Sequence, residues 1–429
     1  MVSPDLTDGG SAHEGDPSLK YHTPDYLSLL ASGVTTEREP LDDVIQQSTG
    51  KEFSFAGGLP LETAFVETDD LKAEAERRWG KRIYQYGPAA GFGPLRENAV
   101  PFLQWLGMEA KDPGRVIVSV GSQSALSAVG RALFNRGDGV AVEQFTYLGM
   151  KSAFNEYGVQ YGTVASDESG MSAEHLDEVL GRGDIRYKAI YLCPNFQNPT
   201  GVTIPLPRRI DLLNVADKYG VPIIEDDPYG QLRYEGEPEP TFHSLNEEGV
   251  IGMTTLSKLL APGLRVAFTY SPEIIAKAMT KILSQRTLCG NIPDHAIAAI
   301  YLEDGRIQHH VLEIRELYRP LWELMDSEMT KHFPQNWRWM RAAGGMFFWP
   351  RGPGNTFELY QIALQHDVAF VPGRYFSPSG MDGDDAMRLC FTHSTPEQIK
   401  DGIPILGALI KEMQQKENLE APIQVYPRQ

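Results

Sequence analysis

The chain has 429 residues, which exceeds the usual span of a single hydrophobic core, so we expect two domains. Its formal net charge of -18 argues against sequence-independent binding to nucleic acid or to an anionic membrane, because contact with phosphates needs clustered Lys and Arg. No apolar run approaches the roughly 20 residues that a membrane-spanning helix requires.

The cysteines and histidines show no pattern typical of a metal site. Cys193, Cys289 and Cys390 have neither metal-ligand spacing nor a disulfide framework, which agrees with a reducing compartment. His309 and His310 lie in a polar helical context, and we interpret them as solvated side chains and not as ligands. The chain also opens without a positively charged leader followed by an apolar core. We therefore expect a cytoplasmic protein without a metal.

The segments in chain order predict an α/β protein in four parts. Residues 1–20 include a stretch rich in Gly, Ser and Asp, which predicts a disordered tail, and residues 21–58 are expected to pack with a C-terminal domain. Residues 59–310 alternate short apolar strands with helical stretches. This alternation predicts a large domain with a mostly parallel sheet covered by helices on both faces. Residues 311–429 should form a smaller α+β domain.

Short apolar runs bounded by turn residues mark the predicted strands. In the large domain they cover residues 115–120, 139–143, 188–193, 221–226, 250–256 and 265–270. The small domain should contain a long helix over 311–333, strands near 337–349 and 386–392, and a final helix over 396–416. We interpret Trp337 and Trp339 as packing residues of this domain and not as a stacking platform for nucleic acid or sugar.

Polar side chains follow three of the predicted strands. Gly121–Gln123 opens an amphipathic helix, whose unpaired backbone N–H groups can hold a phosphate. Asn198 lies in a loop after the predicted strand over residues 188–193, where ligands of open α/β sheets gather. Asp226 ends a third buried strand, three residues before Tyr229. A turn-forming Asp-Asp-Pro is the alternative interpretation of Asp226.

Lys258 stands between Ser257 and Arg265 in one short run. Its amine can form a Schiff base with an aldehyde, while Ser257 and Arg265 offer a hydroxyl donor and a two-pronged cation for a phosphate dianion. This arrangement suits a lysine that carries pyridoxal 5'-phosphate, and a surface lysine beside a chance arginine is the alternative. Asp226 would pair with the protonated ring nitrogen, because a positively charged pyridine ring is the better electron sink. Tyr229 could contact the phenolic oxygen.

Together these segments, in this order, resemble the fold-type I pyridoxal-phosphate enzymes, specifically the class I/II aminotransferases of the kynurenine, aminoadipate and aromatic amino-acid branch. The resemblance runs from about Phe53 to the C-terminus. Its markers are Phe55–Pro60, Tyr84–Pro88, Gly121–Gln123, Asn198–Gly201, Asp226 with Tyr229, Ser257–Lys258, Arg265, Gly344–Phe347 and Arg388–Phe391. The resemblance implies the transferase fold of type I, with a mostly parallel central sheet in a large domain plus a smaller α+β domain.

The resemblance also implies a role for each matching residue. Lys258 looks like the Schiff-base lysine, and Asp226 and Tyr229 like its catalytic partners. The implied cofactor-binding residues are Ser122, Gln123, Tyr147, Asn198, Asp226, Tyr229, Ser257, Lys258, Arg265 and Tyr86. Of these, Tyr147 would stack on the ring, with an ordinary half-buried tyrosine as the alternative. The implied substrate-binding residues are Arg388, whose fork suits a carboxylate, with Asn198 and Gly58.

Tyr86 matches a tyrosine that reaches across a dimer interface to the partner's cofactor phosphate. The resemblance therefore implies a homodimer with shared active sites. Some bacterial transcription regulators carry the same fold behind a basic winged-helix domain, but the segment before Phe53 is too short for one. We expect small-molecule partners, an amino acid and a 2-oxo acid, without nucleic acid or membrane.

These residues predict transamination between an L-amino acid and a 2-oxo acid. The same residues also serve other α-carbon reactions, so oxidation, decarboxylation, elimination or cyclisation stays an alternative, and a non-catalytic sensor is a third one. Retention of Lys258 and Arg388 disfavours the sensor. Related enzymes place an arginine where this chain has Leu41–Ile45, which puts recognition of a distal carboxylate in doubt. Asp42 and Asp43 face either the substrate or the solvent at a helix start.

Overall fold

The computed structural model describes residues 25–31, 34 and 40–416. The predicted tail over residues 1–20 lies outside these ranges. The chain divides after residue 38 into two units, and the first contributes a short helix, α1 (Tyr26–Leu29). All further description concerns the second unit.

Helices and strands alternate along most of the second unit. The helices are α2 (Pro40–Ser48), α3 (Asp69–Trp79), α4 (Gly93–Trp105), α5 (Gly121–Leu133), α6 (Leu148–Asn155), α7 (Ala173–Gly181), α8 (Leu206–Tyr219), α9 (Phe242–Leu245), α10 (Glu273–Thr287), α11 (Ile292–Tyr301), α12 (Arg306–His332), α13 (Thr356–Ala363) and α14 (Pro396–Lys416). The strands are β1 (Phe53–Ser54), β2 (Val116–Val120), β3 (Gly139–Glu143), β4 (Gln160–Val164), β5 (Ser166–Asp167), β6 (Gly170–Met171), β7 (Tyr187–Leu192), β8 (Ile223–Asp226), β9 (Val250–Thr255), β10 (Val266–Tyr270), β11 (Phe347–Phe348), β12 (Val368–Ala369), β13 (Val371–Pro372) and β14 (Met387–Cys390).

The central sheet has seven strands in the order β2-β10-β9-β8-β7-β3-β4. Its neighbours from β9 to β4 run parallel, and β10 alone is antiparallel to both of its neighbours. Every residue of β3, β8, β9 and β10 is buried, as expected for a sheet covered on both faces. The mostly parallel sheet predicted from the alternation is confirmed. Strand β4 was not predicted, because its sequence is half polar and partly exposed.

The reversed direction of β10 brings several strand ends to one edge of the sheet. Val266, which begins β10, pairs with Val120 at the end of β2, and Ala267 pairs with Thr255 at the end of β9. Strands β7 and β8 run parallel to β9, so they end at this edge too. The loops that carry the predicted site residues therefore open on the same side.

The C-terminal region is built from α12, α14 and a small sheet of order β11-β14-β13. Strand β1 adds to it by pairing in parallel with β12, with Phe53 opposite Val368. The amine of Lys51 donates to the backbone O of Leu364 at 2.7 Å. Helix α12 begins at Arg306, earlier than the predicted 311, because the left-handed Gly305 ends the preceding turn.

Two further predictions can be compared with the structure. Trp337 is buried against Phe333, and Trp339 donates from Nε1 to Asp326 at 2.8 Å, so their role in packing is confirmed. The interpretation of His310 as solvated is wrong. Its side chain is only 12% exposed and meets the backbone O of Ala64 at 3.0 Å, because α12 packs this face inward. No helix among the described residues combines the length and apolar character needed to cross a bilayer.

Candidate active site

Lys258 ends a 3-10 turn that directly follows β9. Thr255 begins this turn, and its hydroxyl accepts from the backbone N of Ser257 at 3.1 Å. The Nζ of Lys258 donates to the backbone O of Gly58 at 2.7 Å. Burial, together with the nearby cation of Arg388, lowers the pKa of Lys258 to about 8. The site therefore contains an amine that can lose its proton near neutral pH.

Asp226, the last residue of β8, has one paired and one unpaired carboxylate oxygen. It is 3% exposed, and its Oδ2 accepts from the hydroxyl of Tyr191 at 2.8 Å. No donor within the described part of the chain reaches its buried Oδ1. Burial raises the pKa of Asp226 to about 6, although the Tyr191 hydroxyl acts against this rise. Sequence reasoning missed Tyr191, and a hydroxyl inside an otherwise apolar strand was the available signal.

The carboxylates on either side of Asp226 have structural partners. Glu225 accepts from the backbone N of Phe242 at 2.9 Å, at the start of α9. Asp227 accepts from the backbone N of Gly230 at 2.8 Å and so forms the turn after β8. The turn-forming role considered for Asp226 therefore belongs to Asp227, and Oδ1 of Asp226 stays without a partner in the described part of the chain.

Arg388, on β14, joins Asn198 and Gly58 at the centre of the site. Its Nη1 donates to Oδ1 of Asn198 at 2.9 Å, and its guanidinium packs over the rings of Phe347 and Phe376, 4.5 and 5.1 Å from their centroids. A Cβ on Gly58 would stand 3.3 Å from Phe347 and 4.0 Å from Nη1 of Arg388. The guanidinium thus packs against two rings, of which the sequence marked Phe347 as part of a family motif and did not indicate Phe376.

Tyr229 and Asn198 meet beside this arginine. The Nδ2 of Asn198 donates to the hydroxyl of Tyr229 at 3.4 Å, and both side chains are buried. Burial raises the pKa of Tyr229 well above its ordinary value, so the hydroxyl keeps its proton and can donate. Tyr147 is the residue before α6, and burial together with the charge of Asp226 raises its pKa.

A second group of residues surrounds the start of α5. Gly121 has φ of 72° and donates from its N to the backbone O of Arg265 at 2.9 Å. A Cβ at this glycine would stand 2.2 Å from Nη2 of Arg265, so a side chain here would displace the guanidinium. The buried Oγ of Ser122 has no hydrogen-bond partner among the described residues. The hydroxyl of Ser257 accepts from that of Thr255 at 2.9 Å.

The remaining predicted residues differ in their surroundings. Gln123 donates from Nε2 to the backbone O of Gly149 at 2.8 Å, beside Tyr147. Tyr86 is 77% exposed, which sets it apart from the buried cluster. Asp42 on α2 is exposed, and the side chain of Asp43 lies outside the described residues.

Residues 56–405 match the family described as Aminotransferase class I and II. The chain belongs to this family. It is 34% identical to Aromatic-amino-acid aminotransferase 1 of Thermococcus litoralis, covering 93% of this chain and 97% of that protein. It is also 34% identical to 2-aminoadipate transaminase of Thermus thermophilus, covering 83% and 90%. The crystal structure of Pyrococcus horikoshii kynurenine aminotransferase in complex with PMP superposes with a TM-score of 0.86, at 34% identity and 90% and 98% coverage.

The family fixes the general chemistry of the chain. It is an enzyme of the pyridoxal-phosphate-dependent aminotransferases, with the fold of type I. The family, the fold, the cofactor and the transfer of an amino group predicted from the sequence are thereby confirmed. The three relatives cited here are all named as aminotransferases or a transaminase.

Proposed function

We propose that Lys258 carries pyridoxal phosphate as a Schiff base and serves amino-group exchange between an L-amino acid and a 2-oxo acid. One observation carries this proposal: Lys258 and Arg388 converge across Gly58. The amine donates to the backbone O of Gly58, while Nη1 of Arg388 lies 4.0 Å from the position of a Cβ on the same residue. An amino acid whose carboxylate binds Arg388 would thus bring its α carbon toward the amine.

The unpaired polar atoms of the site fit the cofactor. The buried Oδ1 of Asp226 suits a protonated ring nitrogen, and the buried Oγ of Ser122 with the guanidinium of Arg265 suits a phosphate. Asn198 and Tyr229 would hold the phenolic oxygen. The proposed phosphate set also includes Gln123 and Ser257, and Tyr147 would cover the ring.

When bound, the cofactor supplies an electron sink for the bond broken at the α carbon. The chain's own residues do the rest. Asp226, ionised above its pKa of about 6, keeps the ring nitrogen protonated. Arg388 orients the substrate through two parallel N–H donors on its carboxylate. Nζ of Lys258, with its pKa lowered to about 8, would accept the α proton and return it at the carbon of the cofactor's aldehyde group.

We propose that the preferred amino acids lack a distal carboxylate. Helix α2 reads Pro-Leu-Asp-Asp-Val-Ile-Gln-Gln-Ser and contains no basic residue to pair with one. Asp42 on this helix is exposed and would repel an acidic side chain. Comparing kcat/KM for phenylalanine and for glutamate tests this point, and a preference for glutamate would contradict it.

We further propose a homodimer in which Tyr86 serves the partner's site. Tyr86 is 77% and Leu288 is 52% exposed, so both present apolar surface to a second copy. They belong to neighbouring segments, because Gly87 sits against Ile292 at the start of α11. Sedimentation analysis of the purified protein tests the dimer, and a monomer at micromolar concentration would contradict it.

Two more proposals concern organisation and location. The pairing of β1 with β12 supports a division into a large domain over residues 59–310 and a small domain from residue 311 onward that strand β1 joins. We also propose a cytoplasmic location, which the three unpaired cysteines support.

A half-reaction tests the main proposal. The enzyme loaded with pyridoxal phosphate is mixed with an amino acid but no 2-oxo acid, under nitrogen. Transamination should release one equivalent of the matching 2-oxo acid per subunit and then stop, because the amino group stays on the enzyme. Continued release of product, of carbon dioxide or of free ammonia would contradict transamination in favour of another reaction at the α carbon.

A further inference from the structure

Gln197 is a buried residue directly before Asn198, and its side-chain amide is hydrogen-bonded at both ends. The residue is 2% exposed. Its Nε2 donates to the backbone O of Phe145 at 2.6 Å and to Oε2 of Glu143 at 3.1 Å. Its Oε1 accepts from N and Oγ1 of Thr200 at 2.8 and 2.7 Å. One amide therefore ties the loop after β3 to the loop after β7.

Glu143, the last residue of β3, is the other partner in this contact. It is 3% exposed, and its Oε2 also accepts from the backbone N of Cys193 at 3.2 Å. Burial raises the pKa of its carboxyl to about 8, and the two groups that lower this pKa are the amides of Gln197 and Cys193. Burying a carboxyl group whose partners are amides alone costs stability. Its two donors come from Cys193, at the start of the loop after β7, and from Gln197, further along the same loop.

The two loops lead to two of the side chains that are proposed to contact the cofactor, Tyr147 and Asn198. Tyr147 comes two residues after Phe145, at the start of α6. Asn198 comes directly after Gln197 and accepts from Arg388. The hydrogen bond from Gln197 to Phe145 therefore sets the distance between the backbone segments that present Tyr147 and Asn198.

We propose that Glu143 and Gln197 form a positioning pair, which holds the segments of Tyr147 and Asn198 at the separation that pyridoxal phosphate requires. The pair acts through these neighbours and not on the substrate. The inference rests on the proposed function in one respect, namely that Asn198 and Tyr147 contact the cofactor.

The substitution Gln197→Glu tests the pair with almost no change in volume. It removes both donors and turns a carboxylate toward Glu143 and toward the backbone O of Phe145. We expect pyridoxal phosphate to bind about tenfold more weakly, as for the loss of one hydrogen bond to the cofactor. The pH midpoint of the cofactor's visible absorbance should also shift, because Asn198 no longer donates in its former orientation.

Gln414→Glu is the matched control. Gln414 is a buried glutamine of α14, 7% exposed, whose Nε2 donates to Asn336 at 3.2 Å. A carboxylate at this position is also buried but lies in another part of the fold. The affinity for pyridoxal phosphate and the absorbance midpoint should match those of the wild type. Equal behaviour of Gln197→Glu and Gln414→Glu would overturn the proposal.

A rescue experiment separates a direct contact from two independent structural roles. Glu143→Gln keeps an oxygen for Cys193 and Gln197 and should bind the cofactor within about twofold of the wild type, since no hydrogen bond is lost. Added to Gln197→Glu, it replaces a buried pair of acidic side chains by an amide that faces one carboxyl group, so the double variant should bind more tightly than Gln197→Glu alone. A double variant that binds as weakly as Gln197→Glu, or more weakly, would overturn the pair.

Two outcomes need a separate assignment. If Gln197→Glu does not fold, Gln197→Met replaces it in the affinity comparison, because it loses the same donors without adding a charge. Gln414→Met is then the control. We expect the same tenfold weakening for Gln197→Met, about the value of one hydrogen bond. A wild-type protein that binds the cofactor but releases no 2-oxo acid would contradict the proposed function alone. The affinities of the variants would still decide whether Glu143 and Gln197 position the site.

Discussion

Arg388 and Asn198 are joined by a hydrogen bond of 2.9 Å, although 190 residues separate them in the chain. The bond crosses from the C-terminal strand β14 to the loop after β7. It occupies Nη1 of Arg388, while the buried Nε has no partner in the described part of the chain. The arginine is therefore oriented before a substrate arrives, and it still has a donor to offer.

Arg388→Lys should weaken binding of the amino acid much more than binding of the cofactor. A point ammonium cannot reproduce two parallel donors, and the loss of a hydrogen bond to a charged group is on the order of 1.5–3 kcal/mol, or roughly tenfold to a hundredfold in KM. Spectral titration with pyridoxal phosphate and then with the amino acid measures both affinities. Arg208→Lys, at the exposed pair with Asp167, is the control and should change neither. Equal weakening of both ligands would make Arg388 a structural residue.

Lys258→Ala should abolish turnover, while pyridoxal phosphate still binds without a covalent bond. Contacts to its phosphate and ring are spread over Ser122, Arg265, Asp226 and Asn198, which the substitution leaves in place. Borohydride treatment followed by mass measurement should trap the cofactor on the wild type and not on the variant. Turnover near the wild-type rate in the variant would exclude Lys258 as the catalytic amine.

Lys258 should also make the stability of the cofactor-free protein depend on pH. Its folded-state pKa of about 8 lies below the ordinary value of 10.5, so burying the protonated amine destabilises the fold at neutral pH. Between about pH 8 and 10.5 the unfolded chain binds more protons at this residue, so the penalty is relieved as pH rises. Lys258→Met should stabilise the apoprotein at pH 7 by on the order of 1–3 kcal/mol, and by less at pH 10. Chemical denaturation at both values measures the difference, and a gain that grows with pH would contradict the lowered pKa.

Tyr191→Phe should shift the acid limb of the pH–rate profile to higher pH. The Tyr191 hydroxyl lowers the pKa of Asp226, so its removal raises that pKa above about 6 and protonates the carboxylate at neutral pH. Activity should fall at pH 6–7 and recover toward pH 8. Tyr161→Phe, at a partly buried hydroxyl on β4 that donates to Asn155, should leave the profile unchanged. An acid limb that stays in place in Tyr191→Phe would mean that Asp226 does not need its charge.

Mixing Tyr86→Phe with Lys258→Ala should restore part of the activity if sites are shared. A heterodimer would then contain one site with both defects and one with neither. The expected recovery is toward half of the wild-type activity per heterodimer, measured after tag-based purification of the mixed species. Tyr86→Phe must first be severely impaired alone. Complete absence of recovery would place the action of Tyr86 within its own subunit or away from the site.

The residues that could be identified from the sequence are those whose chemistry the ligand dictates. Lys258, Asp226 and Arg388 each stand in short motifs after or within predicted strands, and the structure brings Lys258 and Arg388 close to the same residue, Gly58. Their roles stay predictions. The supporting residues could not be found, because Tyr191 reaches Asp226 only when β7 lies beside β8, and a single sequence does not specify strand order.

The direction of β10 could not be predicted from the sequence either. The run Val266–Tyr270 is apolar throughout, so it looks the same whether it runs parallel or antiparallel to its neighbours. His310 was misread for a related reason, since a polar helix pattern does not reveal that a second segment covers one face. Local patterns predicted the elements, and long-range packing decided which of their faces met.

The reversal of β10 has a consequence for how this enzyme could be rearranged. A parallel neighbour would have required a long crossover between β9 and β10, whereas the antiparallel pair is joined by residues 256–265 alone. Lys258 and Arg265 therefore lie on the same short connector, residues 256–265. New chain ends in a circular permutant should be tolerated at exposed turns such as Gly183 or Gly236, but a cut within this connector would detach the amine from the phosphate-binding arginine.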